Sequence, residues 1–421
     1  MSNNNTIYKQ TEIGLIPSDW EVKKLEDIID YKKGFAFKTN SYKSEGIRLI
    51  RVSDTNSQGI KKEGNIYIDI KEAKKYSDYE LLENDIIIQT VGSRPPMYDS
   101  MVGKTILVNK EFEGSLLNQN AVRLREKNGN NYFLFSLFRR KSYFDFIETL
   151  VRGNANQVSI TLEDLFKYLI PYPKSISEQK KIAKILRTFD EAINTTKQIV
   201  NCLKVRNKGL SQQLLLGKMR LKGFEKSKWE YLPINKIAKE VSIKNKEDNN
   251  LIVLSCTKYN GLVPSLEYFG RKIYSDDLTT YKIVSKGQFA YATNHIEEGS
   301  IGYQSNYEEA LISPMYTVFQ TDESVNDNFL FRVLKSNNYI HEYQKRMEGS
   351  IDRRGGLRWD EFSKIKVPFP DIKEQFAIVQ ILDKATEELN QYQQKLEVFQ
   401  LQKKGLMQQL LSGKVRVKTT N

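Results

Sequence analysis

Gly103-Lys104-Thr105 carries the ending of a phosphate-binding loop, in which backbone N–H groups wrap the phosphates. Tyr98 stands where the first glycine of that loop belongs, so the stretch reads as the start of a strand. Two segments approach the Asp/Asn/Ser-Pro-Pro-Tyr/Phe motif with which amino-methyltransferases hold a target amine. Arg94-Pro95-Pro96-Met97 lacks both outer residues, and Ser313-Pro314-Met315-Tyr316 has Met in place of the middle proline. No Gly-rich strand-loop of an adenosylmethionine pocket accompanies either. Asp69, Glu72 and Lys74 have the types of a carboxylate–carboxylate–lysine nuclease set, but Lys/Glu-rich turns generate that pattern freely. The two histidines, His295 and His341, and the two cysteines, Cys202 and Cys256, have no partner at metal-ligand spacing. No Gly-x-Ser-x-Gly elbow is present. The chain is expected to hold no catalytic site, metal or cofactor of its own, and any catalysis is expected of a partner.

Bulk properties agree with a binding role. The 421 residues allow two domains with separate cores, and 39% apolar residues with 23 Tyr and 20 Phe are enough to pack them. Lys and Arg number 65 against 52 Asp and Glu, a net charge of +13 that favours a polyanionic partner. The two distant cysteines point to a reducing compartment. The polar start MSNNNTIYKQ and the absence of a long apolar run predict a cytoplasmic protein without a membrane span.

The elements that would position binding residues come from a repeat. Glu178–Arg220 aligns with Glu374–Arg416 at a constant offset of 196, without a gap and with 18 of 43 positions identical. LEDLFKYLIPYP, ending at Pro173, matches WDEFSKIKVPFP, ending at Pro370, and the segment around Trp20 matches that around Trp229. Between these blocks the two halves differ, as expected of one scaffold presenting two specificities; the plainer alternative is an old duplication whose loops drifted. Short β-branched or aromatic runs such as IRLIRVSD, DIIIQTVG and GQFAYA predict strands. Tyr132–Phe146 and Asn328–Met347 predict helices between them. The fold class is thus α+β: two α+β domains and two long antiparallel coiled-coil helices, an internal duplication with pseudo-two-fold symmetry. The boundaries are 1–173 for the first domain, 174–222 for the central helix, 223–370 for the second domain and 371–421 for the C-terminal helix and tail.

An apolar stripe alternating spacings of four and three marks both helices. It runs Ile182, Leu186, Phe189, Ile193, Thr196, Val200, Leu203, Asn207, Leu210 and Leu214 in the first. In the second it runs Ile378, Leu382, Ala385, Leu389, Tyr392, Leu396, Phe399, Lys403, Leu406 and Leu410. Asn207 and Lys403 can fix register or reach solvent. Gly217 and Gly413 are placed to end the helices, while Gly209 and Gly405 inside them suggest either a close backbone approach or a kink.

The frame resembles the specificity subunits of type I restriction–modification systems. The resemblance is carried by Tyr8–Trp20, the Pro-x-Pro boundaries, Glu178-Gln179 and Glu374-Gln375, and the endings Lys208–Lys218 and Lys404–Lys414. Ser285–Gln304 and Ser313–Tyr316 are similar to a common class of recognition domain. It implies that each domain reads one half of a bipartite, asymmetric DNA target, while the helices set the spacer and dock two modification (methyltransferase) subunits. Two restriction (translocase/nuclease) subunits can join, and S-adenosylmethionine, Mg²⁺ and ATP would belong to those partners. The competing reading is a coiled-coil scaffold that tethers enzymes without reading DNA.

On that reading, bases are read from their edges and phosphates only position the protein. The expected base readers are Gln89, Ser93, Arg94, Asn118, Gln119 and Asn120 in the first domain. In the second they are Lys258, Tyr259, Asn260, Asn294, His295, Tyr303 and Gln304. The expected backbone contacts are Lys32, Lys33, Lys38, Arg152, Asn154 and Asn156, then Arg353, Arg354 and Arg358.

Overall fold

The computed structural model describes residues 7–57, 59–64, 66–97, 99–151, 158–247, 251–348 and 356–418. The chain divides into two compact units. The first comprises residues 1–197 and 394–421, and the second residues 198–393. The two cuts, after Lys197 and after Gln393, fall at equivalent places in the repeat. Each unit therefore owns the N-terminal part of one long helix and the C-terminal part of the other.

In the first unit, strands Thr105–Leu107, Ile86–Gln89, Ala121–Glu126 and Ile29–Lys33 form an antiparallel sheet in that order. A smaller sheet orders Leu116–Leu117, Ile47–Ile50, Tyr67–Ile68 and Tyr42–Lys43. Trp20–Lys24 pairs with Leu169–Pro173, which ties the first Trp segment to the Pro-x-Pro boundary. Helices Asn131–Leu137 and Lys141–Leu150 cover the larger sheet. Their Phe133, Tyr143 and Ile147 join Ile86, Ile88 and Leu124 in one core with Ile182, Leu186, Leu410 and Leu411 from the long helices.

The second unit repeats the plan with different strands. Ala238–Val241, Tyr316–Thr321, Phe289–Ala292 and Ile301–Tyr303 form its main antiparallel sheet. Glu230–Pro233 pairs with Lys366–Phe369 at the boundary. Leu254–Thr257 and Gly261–Pro264 make a hairpin. The core gathers Phe289, Tyr291, Phe319, Phe329 and Phe362 with Leu214 and Leu215 of one long helix and Ile378 and Leu382 of the other.

The long helices are Ile176–Leu215 and Ile372–Leu410. Ser175 Oγ accepts the Glu178 N–H at one start, and Asp371 Oδ1 accepts the Lys373 N–H at the other, each satisfying a free donor of a first turn. Both helices end where the sequence predicts, on Gly217 and Gly413 with φ of 64° and 71°. Within each unit the helix segments run antiparallel. Glu178 meets Arg416 and Asp190 meets Lys403 in the first; Arg220 meets Glu374 and Asn207 meets Ala385 in the second. Every stripe position is buried or half-buried. A Cβ on Gly209 or Gly405 would meet nothing within 4 Å beyond its own helix turn, so among the described residues no other backbone crowds either glycine. No helix of the described residues is long and apolar enough to cross a membrane.

Candidate nucleic-acid interface

Each unit holds its domain to the helices by the same clasp. In the first, Trp20 Nε1–H donates to Glu178 Oε2 at 3.2 Å, and Arg416 grips the same carboxylate with Nε and Nη2 at 2.7 and 2.9 Å. Arg416 also reaches Asp19, whose carboxyl it holds below the usual aspartate range. In the second unit Trp229 Nε1–H donates to Glu374 Oε2 at 2.9 Å, and Arg220 grips that carboxylate at 3.0 and 2.9 Å. Both Glu side chains are almost wholly buried, so each has its charge answered by a fork of two donors. The adjacent glutamines also repeat their work. Gln179 Nε2 donates to Pro173 O and its Oε1 accepts Asn130 N–H; Gln375 does the same with Pro370 O and Asn326 N–H. Asn130 and Asn326 in turn cap the next helix through their side chains.

The polar breaks in the stripe take specific partners. Asn207 Nδ2 donates to Ala385 O at 2.6 Å, and Lys403, mostly buried, pairs with Asp190. Tyr132 OH donates to the same Asp190, and burial beside that carboxylate raises the phenol well above its ordinary range. Both polar side chains are thus turned to protein partners across the helix pair rather than left to solvent.

In the first unit three candidate loops meet. A Cβ on Gly34 would lie 1.9 Å from Asn118 O, and Gln119 N–H donates to Phe35 O at 3.0 Å. Only glycine permits this approach. Asn120, with φ of 67°, accepts the Thr90 N–H at 3.1 Å, which draws in the strand edge leading to Ser93 and Arg94. Gln119, Asn120, Arg94, Lys33 and Lys38 are exposed there. Lys32 pairs with Asp78 at 3.0 Å and lies over the Tyr79 ring. Ser93 Oγ sits 2.8 Å from Ser100 Oγ. Gln89 is 1% exposed and donates to Thr55 Oγ1 and Val52 O, and Asn118 is buried with its Oδ1 on the Gln119 N–H, so both amides face protein. Lys104, next to this loop, donates to Asp99 O at 2.6 Å, and burial pulls its ammonium down to about 8.

In the second unit the hairpin turn presents Lys258, Tyr259 and Asn260. Tyr259 is 78% exposed, and Lys258 Nζ lies 5.5 Å from its ring centre. Thr257 Oγ1 ties the turn by accepting Asn260 N–H and donating to Gly261 O. Gly302 backs it: a Cβ there would stand 2.5 Å from Leu262 N. Asn294 and His295 are exposed on the neighbouring turn. A Cβ on Gly356 would lie 2.3 Å from Asn294 Oδ1, and Leu357 N–H donates to Thr293 O, which brings exposed Arg358 beside that turn. Tyr303 OH instead donates to Asp327, and buried Gln304 accepts Asn306 and Tyr307 N–H, so these two order a turn within the protein. Arg152, Asn154, Asn156, Arg353 and Arg354 lie outside the described residues.

Among the described residues, one group of three potential metal-binding side chains has its atoms within reach: His295, Glu297 and Glu298, on a largely solvent-facing turn. The clasp arginines were not singled out from sequence, although both stand inside the quoted repeat, where identity across the two copies marks them. Nor was a second stripe, Cys202-Val205-Gly209 and its equivalent Val398-Leu401-Gly405. Val205, Leu401 and Val398 are 75%, 69% and 48% exposed.

Residues 17–205 and 227–400 match the type I restriction modification DNA specificity domain. A protein of Methanocaldococcus jannaschii described as the MjaX type I restriction enzyme specificity subunit is 27% identical, over 98% of this chain and 97% of that one. The MjaVIII specificity subunit of the same organism is 25% identical over 96% and 95%. Among solved structures, the type I restriction–modification S subunit from M. genitalium shares the fold, with a TM-score of 0.58 at 17% identity, over 98% of each chain.

Proposed function

This chain belongs to the type I restriction modification DNA specificity family, and on that premise we propose how its two halves divide the work. Specificity subunits of this family give a type I restriction–modification complex its DNA specificity and are not themselves catalytic. Here, the domain bounded by residues 1–173 reads one half of a bipartite, asymmetric DNA target, and the domain bounded by residues 223–370 reads the other. The long helices set the unread spacer between the half-sites and dock two methyltransferase subunits. Two restriction subunits complete the nuclease. S-adenosylmethionine, Mg²⁺ and ATP belong to those partners, which perform the chemistry.

The observation that carries this reading is one clasp used twice to hold two domains with unlike loops. Trp20–Glu178–Arg416 and Trp229–Glu374–Arg220 are the same construction. The two domains that these clasps hold present different exposed donors and acceptors: Arg94, Gln119 and Asn120 in one unit, and Lys258, Tyr259, Asn260, Asn294 and His295 in the other. Such groups can meet base edges, and exposed Lys33, Lys38 and Arg358 can meet phosphates. The stripes containing Val205 and Leu401 support docking. They are exposed, apolar and duplicated, as a surface for two identical partners must be, and each ends on a glycine with open space above it.

The test is methylation-site mapping with cognate modification subunits. Arg94→Ala should relax one half-site and Asn260→Ala the other, each by the roughly 1–3 kcal/mol that a base contact contributes. Unchanged preference in both halves for both variants would overturn the assignment of these loops to DNA.

A further inference from the structure

Lys335 follows helix Asp327–Leu334 as its C-cap, and its ammonium reaches away from the helix into backbone of two other segments. Nζ donates to Thr257 O at 3.2 Å, Gly299 O at 2.6 Å and Ile301 O at 3.0 Å. An ammonium has three donors, and here all three are used on carbonyls. Thr257 is the last strand residue before Lys258-Tyr259-Asn260. Gly299 closes the turn that bears Asn294 and His295, and Ile301 opens the strand that follows. One cation therefore stitches the two exposed turns of this unit together.

The stitch is referenced to the long helix. Gln375 Oε1 accepts the Asn326 N–H at 2.8 Å, Asn326 caps the helix that Lys335 ends, and Gln375 Nε2 donates to Pro370 O. A continuous set of hydrogen bonds thus runs from the second long helix to both turns. Among the described residues the first unit has no such arrangement at the equivalent place: Arg139, aligned with Lys335 by the 196-residue offset, is exposed and lies over the Phe135 ring.

We infer that Lys335 is a positioning residue for sequence readout, fixing the Lys258–Asn260 turn and the Asn294–His295 turn at the mutual spacing that one DNA half-site requires. The inference rests on the assignment of these turns to DNA. Base-edge contacts demand placement within about 0.5 Å, so two loops that read neighbouring bases must be held to one another as well as to the scaffold. Lysine suits the task because a compact ammonium can serve three converging carbonyls, whereas a planar guanidinium directs its donors outward in a fork.

The experiment uses the full chain with its cognate modification subunits on a library randomised at both half-sites. Lys335→Met should lower discrimination at the half-site read by the second unit by about 10-fold and leave the other half-site intact, with Lys335→Arg in between. If Met prevents folding, Lys335→Gln, which keeps two donors, should show the same one-sided loss. A slower reaction with both half-site profiles unchanged would overturn the inference, because a merely structural lysine alters yield or rate without altering preference. Asn260→Ala and Asn294→Ala run alongside: if they change the half-site while the Lys335 variants do not, Lys335 alone is misassigned. If none of them changes it, the assignment of the turns to DNA has failed.

Discussion

Arg416 closes on Glu178 across 238 positions of sequence, with both guanidinium contacts under 3 Å. The tail after the second long helix is therefore part of the first unit, and the linker after the first helix, through Arg220, is part of the second. Removing one partner of a buried pair costs about 3–5 kcal/mol, and the partial exposure of Arg416 brings the expected loss for Arg416→Ala to about 2–4 kcal/mol. Urea unfolding should show the loss in the first unit, with Arg416→Lys recovering only part of it because one ammonium cannot replace the fork. A change below about 0.5 kcal/mol would place the clasp among ordinary surface pairs.

Lys104 makes stability depend on pH in an unusual direction. Its folded value of about 8 lies below the ordinary lysine value near 10.5, so between those limits the unfolded chain binds more protons. Stability contributed by this group should rise as pH increases from 8 towards 10.5, and Lys104→Met should flatten that rise. Asp19 acts in the same sense at the acid end: its carboxyl is depressed by Arg416, so its contribution is present above the ordinary aspartate range and is lost as pH falls. The difference between wild-type and variant unfolding curves across pH isolates each effect.

Glycine within the helices separates stability from docking. Gly209→Ala and Gly405→Ala should each stabilise the isolated chain by about 0.5–1 kcal/mol, since alanine fits the open space and restricts the unfolded chain. Gly209→Leu with Gly405→Leu should weaken capture of modification subunits in sedimentation, while leaving the fold intact. Undiminished capture would move docking to another face.

Four residues inserted in both helices, at the equivalent cuts after Lys197 and Gln393, should lengthen the spacer of the recognised site. Each helical residue advances about 1.5 Å, so four give about 6 Å, or nearly two base pairs at about 3.4 Å per step. Both half-sites should stay as they were. Methylome mapping that returns the original spacer would show that the helices do not measure it.

A fragment ending near Gly223 should dimerise and, with modification subunits, recognise an inverted repeat of the first half-site. The inner core and the clasp that the first unit takes from the second repeat have copies in the first: Leu410 and Leu411 become Leu214 and Leu215, and Arg416 becomes Arg220. The edge-on contact of Phe189 with Phe399 would become Phe189 with Leu203, and the Asp190–Lys403 pair would become Asp190 with Asn207. Those two changes weaken the seam without emptying it. Light scattering that finds a folded monomer at tens of micromolar, with modification subunits present, would defeat the pseudo-two-fold scheme.

The sequence by itself determined the repeat, the two helices and their covered stripes, because these are written in short-range periodicity that needs no knowledge of distant neighbours. It also showed Gly217 and Gly413 as helix ends, a local matter of backbone conformation. It could not tell Gln119 from Gln89, or Asn294 from Gln304. Each is an amide beside a strand or turn, and whether it faces solvent depends on what Thr55 or the Asn306–Tyr307 backbone brings to it. Nor could it pair Arg416 with Glu178, or aim Lys335 at Thr257 and Gly299. Residue type sets how many hydrogen bonds a group can make; only the tertiary structure decides whether the protein uses them internally or leaves them free for another molecule.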